Sequence, residues 1–169
     1  MTKVIPGRYT AQSEEPFVVF LIGMRVNRFF AFRKWIPTFL AMGTMLKTLL
    51  AHPEKGFLGG RTFFYWRGVA LVQYWRSFED LERFARSPDE PHLRAWRRFN
   101  KVVGFKDGSV GFWHESYLVQ PGHYEVVYGN MPIFGLAAAT KHVPAIGSLE
   151  TARRRLGGEN ESAVPATLP

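Results

Sequence analysis

Two β-rich runs, residues 61–66 (RTFFYW) and 69–76 (VALVQYWR), are separated only by Arg67 and Gly68. That spacing predicts a tight antiparallel hairpin. Helix-period segments lie on both sides of it. Upstream, residues 33–52 carry Trp35, Ile36, Phe39, Met42, Met45, Leu46 and Leu49, a broad apolar helical face, with Pro37 in the first turn. Downstream, Ser77 and Asp80 form a capping pair for SFEDLERFARS, residues 87–91 break that helix, and His92 opens HLRAWRRFNKVVG.

Residues 17–27 (FVVFLIGMRVN) read as a buried strand, and residues 110–119 as the last core strand. The order is then β, α, β, β, broken α, β, with residues 123–128 as an extra edge strand. This is the ferredoxin-like split βαβ order of an α+β fold. Both helices would cover one face of an antiparallel sheet and leave the other open. Two copies pairing through that face would close an α/β barrel and enclose a pocket. We expect an N-terminal arm over residues 1–16, the domain over 17–147, and a partly disordered tail over 148–169, where GGENESAVPATLP lacks core-forming residues.

Composition narrows the function classes. Aromatic residues make up 15% of the 169 residues, enough for a thick core or for an apolar pocket that takes a flat ligand. The net charge of +8 is spread over helical stretches and the tail, with no accompanying nucleic-acid motif. With no cysteine there is no disulfide, thiolate zinc site, iron–sulfur cluster or cysteine nucleophile. The polar start and the short apolar runs predict a cytoplasmic protein without an integral membrane segment, though exposed aromatics leave room for a peripheral membrane contact. No phosphate-binding glycine loop or serine nucleophile elbow is present.

Chemistry concentrates in VGFWHESYLVQPGHYEVVYGNMPIFGL, residues 110–136. Strand alternation puts Trp113, Glu115 and Tyr117 on one face and Phe112, His114 and Ser116 on the other. His114 can ligate haem iron or take a proton near neutral pH, against a structural role as a core histidine on the helix-facing side. Glu115 can be an acid or base if it faces an apolar cavity, or a salt-bridge partner of Arg76 or Arg25. His92, at a helix N-terminus, is expected to stay neutral and can act as a base, or it is simply exposed in the first turn. Trp96 shares the helical face of His92 and can line a pocket, or contact haem if haem binds, against a role in the core. Tyr65, Trp75 and Tyr117 are candidates for stacking on a substrate, Asn130 for orienting it, and Arg76 for holding a carboxylate or haem propionate. Two histidines and a glutamate would also suit a divalent metal, but their spacing fits no recognised metal motif and none is assigned.

The segments Gly111-Phe112-Trp113-His114-Glu115-Ser116-Tyr117, Tyr128-Gly129-Asn130-Met131-Pro132 and Gly135-Leu136 carry a resemblance, supported by Gln73-Tyr74-Trp75-Arg76-Ser77 and His92-Leu93-Arg94-Ala95-Trp96. The chain resembles the dimeric α/β-barrel superfamily of antibiotic-biosynthesis-type monooxygenases. Within it, the chain is similar to an uncharacterised branch grouped with a fumagillin-pathway monooxygenase. The resemblance implies a homodimer with one cavity per subunit and mixed chemistry: some members oxygenate aromatic substrates without a cofactor, others use haem. The expectation is a small monooxygenase-like oxidoreductase acting on an apolar or aromatic metabolite, cofactor-free or haem-dependent. A non-catalytic carrier of a hydrophobic small molecule or haem is the alternative.

Overall fold

The computed structural model describes residues 3–158. In chain order the strands are β1 (Ile5–Gln12), β2 (Phe17–Val26), β3 (Phe57–Tyr65), β4 (Gly68–Trp75), β5 (Val110–Val119), β6 (Tyr128–Met131) and β7 (Lys141–Pro144). The helices are α1 (Phe32–Ala51), α2 (Phe78–Arg86), α3 (Pro91–Val102), α4 (Gly104–Asp107), α5 (Leu136–Ala139) and α6 (Ala152–Arg155). They fall into two units, residues 17–118 and residues 3–16 with 119–158.

The first unit is a four-stranded sheet in the order β3-β4-β2-β5, with β4 antiparallel to both β2 and β3. This is the ferredoxin-like order expected from the sequence. Pairs such as Phe20↔Gln73 and Ile22↔Leu71 fix which residues share a face. On β4 the odd positions Val69, Leu71, Gln73 and Trp75 are buried. Two apolar clusters fill the helix side. One joins Met24, Leu71, Met42, Phe99 and Val110; the other joins Val18, Leu49, Trp75, Leu81 and Phe84.

Several boundaries differ from the sequence reading. The arm expected over residues 1–16 contains strand β1, which pairs with β6 and β7 in a separate three-stranded antiparallel sheet. Strand β1 mixes Pro6 and Gly7 with the polar Arg8, Thr10 and Gln12, and Thr10 and Ala11 alone are buried in it, so its hydrophobic signal was weak. Strand β3 begins at Phe57 and runs through Gly59 and Gly60, which the sequence suggested as irregular backbone. A register shift between Phe57 and Gly59 accommodates them, and a Cβ on Gly60 would lie 2.7 Å from the Val72 carbonyl oxygen. The hairpin turn is Trp66-Arg67, with Arg67 at φ 64°, rather than Arg67-Gly68. Pro37 is the sixth residue of α1 and not in its first turn, so the helix lacks the amide that would bond to the Arg33 carbonyl. The extra edge strand is at Tyr128–Met131, after the expected 123–128. From residue 159 onward, the expected disordered tail lies outside the described residues.

Helix α2 starts as its sequence predicts: the Ser77 hydroxyl accepts the Asp80 amide at 3.2 Å. The Asp80 carboxylate is buried and accepts from Arg76 Nε and Arg83, both at 2.7 Å. The Arg76 hydrogen bond holds its carboxyl below the usual carboxylate range, with Arg83 acting the same way against burial. Gly56 permits this arrangement. It sits at φ 85°, and a Cβ there would lie 2.3 Å from Asp80 Oδ2. Gly56→Ala is therefore expected to destabilise the fold by about 2 kcal/mol or more, from left-handed strain and a displaced carboxylate. Chemical denaturation of the variant checks it.

Candidate functional site

A cavity of about 620 Å³ lies between the helices and the helix-facing side of the sheet, lined entirely by residues 20–116. Its volume is in the range of roughly 300–1,000 Å³ usual for small-molecule sites. The floor is Phe20, Ile22 and Met24 of β2 with Phe112, His114 and Ser116 of β5. Met42 and Met45 of α1, Leu81 and Ala85 of α2, and His92, Trp96 and Phe99 of α3 form the roof and sides. The cavity is thus formed within one chain, on the helix side of the sheet, and is partly open to solvent.

Strand alternation decides which polar groups enter. His114 faces the cavity, with its ring 5.7 Å from that of Phe20. Glu115 is on the opposite, exposed face, where it accepts the Tyr117 hydroxyl at 2.6 Å. His92 is the second imidazole of the lining, and it is half-buried. Its Nδ1 lies 3.0 Å from the Ala85 carbonyl oxygen. A carbonyl only accepts, so Nδ1 carries the proton and Nε2 keeps its lone pair. Ala85 is in the last turn of α2, where carbonyls lack helical donors, so one bond satisfies both groups. Burial pushes His92 below the ordinary histidine value of 6.5; the bond to Ala85 opposes this, and the neighbouring His114 adds to it. His92 is therefore a neutral base in an apolar cavity.

As pH falls below about 6.5, the unfolded chain binds the His92 proton before the folded one does, so stability declines in that window until the lower folded value is passed. Thermal melting across that window is expected to show a smaller decline in His92→Gln than in the parent.

The other candidates are distributed differently from the sequence expectation. Trp96 does line the cavity, where it packs edge-on against Phe112 at 4.9 Å and stacks on Phe99 at 5.9 Å. Trp75 is not presented to a substrate there: it is 0% exposed and donates to Gln73 Oε1 at 2.9 Å. Tyr65 is on the open face and donates to the Met24 carbonyl at 2.8 Å. Tyr117 is on that same face beside Glu115. Arg76 is held by Asp80 and is not part of the lining. Asn130 belongs to the second unit, at φ 51°, where its side-chain oxygen accepts the Gly7 amide at 3.0 Å. The cations that do line the cavity are Arg33, Lys34, Arg86 and Arg98. Lys34 is paired with Asp107 and Arg86 with Glu82, and among the described residues no ion pair engages Arg33 or Arg98. In the sequence these residues are part of the charge spread over helical stretches, and none is singled out there as a site residue. Among the described residues no group of three or more His, Asp or Glu is placed to hold a metal ion.

The profile of the family described as "Monooxygenase af470-like" matches residues 17–136. The chain belongs to this family. The match spans the whole cavity-bearing unit. Monooxygenase af470 of Aspergillus fumigatus is 31% identical over 146 residues, which cover 76% of this chain and 50% of that protein. The chain thus spans about half the length of this curated relative. Among solved structures, aldoxime dehydratase superposes with a TM-score of 0.61 at 17% identity, over 78% of this chain and 42% of that one. At that identity the likeness concerns the fold, which is α+β with antiparallel sheets.

Proposed function

We propose that this protein is a cofactor-free monooxygenase for an apolar, electron-rich aromatic metabolite, with His92 as the base. The observation that carries this reading is the His92 imidazole: neutral, fixed by Ala85, with Nε2 free beside an apolar cavity. Such a base removes a proton from a phenol or an acidified C–H. The resulting anion gives one electron to dioxygen, and recombination forms a carbon–oxygen bond as a hydroperoxide. Loss of water leaves a carbonyl, so one oxygen atom enters the product and the other leaves as water. The substrate supplies all four electrons, two in forming the hydroperoxide and two as it loses water, so no external reductant is needed. Met42, Met45 and Phe99 keep water from the anion, and His114 from the facing strand is placed to orient the substrate.

Dioxygen uptake with a tricyclic anthrone tests this. The methylene of an anthrone is acidified by two aryl rings and a conjugated ketone, and its oxidation gives the quinone and water. Uptake above the spontaneous rate with one quinone formed per dioxygen is expected. A tightly bound anthrone with no turnover would instead support the non-catalytic carrier.

Haem is a second reading, favoured by the two imidazoles and by Arg33 and Arg98 in the lining. These residues fit the group: His92 Nε2 would ligate the iron and the arginines would meet the propionates. Haem bound there would supply iron-based dioxygen chemistry. A Soret band lost in His92→Ala distinguishes this from the cofactor-free reaction. The open sheet face, with Phe63, Tyr65 and Tyr117 exposed, supports a homodimer; native mass spectrometry reads the subunit count.

A further inference from the structure

We propose that one end of the cavity-bearing unit docks on a membrane surface that contains anionic lipid. Three connections meet there. The Val26 amide bonds to the Arg67 carbonyl at 2.7 Å, joining the end of β2 to the β3–β4 hairpin tip. The Asn27 and Arg28 amides bond to the Ser109 carbonyl at 3.0 and 3.1 Å, joining it to the segment before β5. Each connection carries an exposed aromatic directly beside a cation: Arg28-Phe29-Phe30, Trp66-Arg67 and Phe105-Lys106. Phe30 and Trp66 are each 86% exposed, Phe105 78% and Phe29 60%.

Large apolar side chains at such exposure, grouped on one end, mark an interaction surface. Its charge selects the occupant. Residues 27–35, 64–68 and 103–109 hold Arg28, Arg33, Lys34, Arg67 and Lys106 but a single acid, Asp107, which is bonded to Lys34 at 2.5 Å. Aromatic rings interleaved with cations match the headgroup level of an anionic bilayer, where rings enter the interface and cations meet lipid phosphates. The aromatics stand on three separate tips, which suits shallow insertion. No helix among the described residues is long and apolar enough to cross a membrane, so the contact is peripheral.

The loops are also fixed before contact. Trp35 Nε1 donates to the Phe29 carbonyl at 2.9 Å, and the rings of Phe29, Phe30 and Phe32 lie 5.7–6.2 Å apart. The Arg67 guanidinium donates to the Val26 and Asn27 carbonyls. Docking therefore costs little ordering entropy. Arg33 and Lys34 belong both to this end and to the cavity lining, so an apolar molecule held in the bilayer would meet the cavity close to the docked end.

Vesicle flotation of the full chain tests the proposal, with phosphatidylcholine vesicles compared with phosphatidylcholine–phosphatidylserine vesicles. Binding is expected on the mixed vesicles and is expected to fall as salt rises. Phe30→Ser with Trp66→Ser should weaken it about tenfold or more with melting unchanged. Arg28→Glu with Lys106→Glu should weaken it at least about fivefold per residue on anionic vesicles. No flotation with either vesicle, or flotation that both double variants leave unchanged, would overturn it. So would unchanged flotation with loss of an oligomer in sedimentation velocity for the aromatic double variant, which would assign the surface to a second copy.

Discussion

His92→Gln is expected to lower anthrone-dependent dioxygen uptake by about a hundredfold to ten-thousandfold, the usual contribution of a positioned general base. The glutamine amide can still donate to the Ala85 carbonyl, which His92 Nδ1 occupies at 3.0 Å, so α2 and α3 keep their contact. What is lost is the Nε2 lone pair. The loss should fall on kcat, with KM changed little, because the apolar walls that hold the substrate remain. The acid limb of the parent's kcat/KM profile is expected below 6.5, since burial depresses the His92 value. His114 contributes to that depression, so His114→Gln should move the limb upward toward the ordinary histidine value. Steady-state oxygen-electrode kinetics across pH reads all of these outcomes.

The largest loss of stability is expected from Trp75→Ala. Trp75 ends β4 at the centre of the second apolar cluster, fully buried and in ring contact with Phe57 at 5.5 Å and Phe84 at 5.8 Å. Truncating a buried tryptophan costs about 3–5 kcal/mol through lost transfer energy and an unfilled cavity. Its Nε1–H also satisfies the buried Gln73 side chain, and leaving that oxygen unpaired adds about 1–3 kcal/mol. Trp75→Phe keeps most of the packing and loses mainly the hydrogen bond, so denaturant midpoints should rank parent, Trp75→Phe, Trp75→Ala. A Trp75→Ala protein as stable as the parent would mean that this cluster does not hold the helices on the sheet.

The order of elements in the cavity-bearing unit was legible because its signals are local. The two-residue spacing of the hairpin, the Ser77–Asp80 cap and the bounds of β5 depend on neighbours in sequence. The face of each β5 side chain was legible too, since alternation separates His114 from Glu115 whatever surrounds them. The side on which the cavity lies was not. It depends on how far α1 and α3 stand off the sheet, and that is set by Met42, Met45, Trp96 and Phe99 packing together across long sequence separations. For the same reason the aromatics Tyr65, Trp75 and Tyr117 looked alike in sequence. One is held on the open face by a backbone carbonyl, one is core and one pairs with Glu115. The Ala85 carbonyl had no residue-type signal at all: it matters because α2 ends there. Strand β1 was missed because its partners are more than a hundred residues away in sequence.

The central claim is that chemistry occurs on the helix side of the sheet. Anthrone-dependent dioxygen uptake of two variants, measured side by side with the parent, tests it most directly. Ala41 lines the cavity, and Ala41→Trp places an indole in the space a substrate would take; Glu115→Gln alters the opposite face alone. Ala41→Trp is expected to lower uptake sharply while Glu115→Gln retains the parent rate, both with melting close to the parent's. Uptake that survives Ala41→Trp and is lost in Glu115→Gln would contradict it and move the site to the open face.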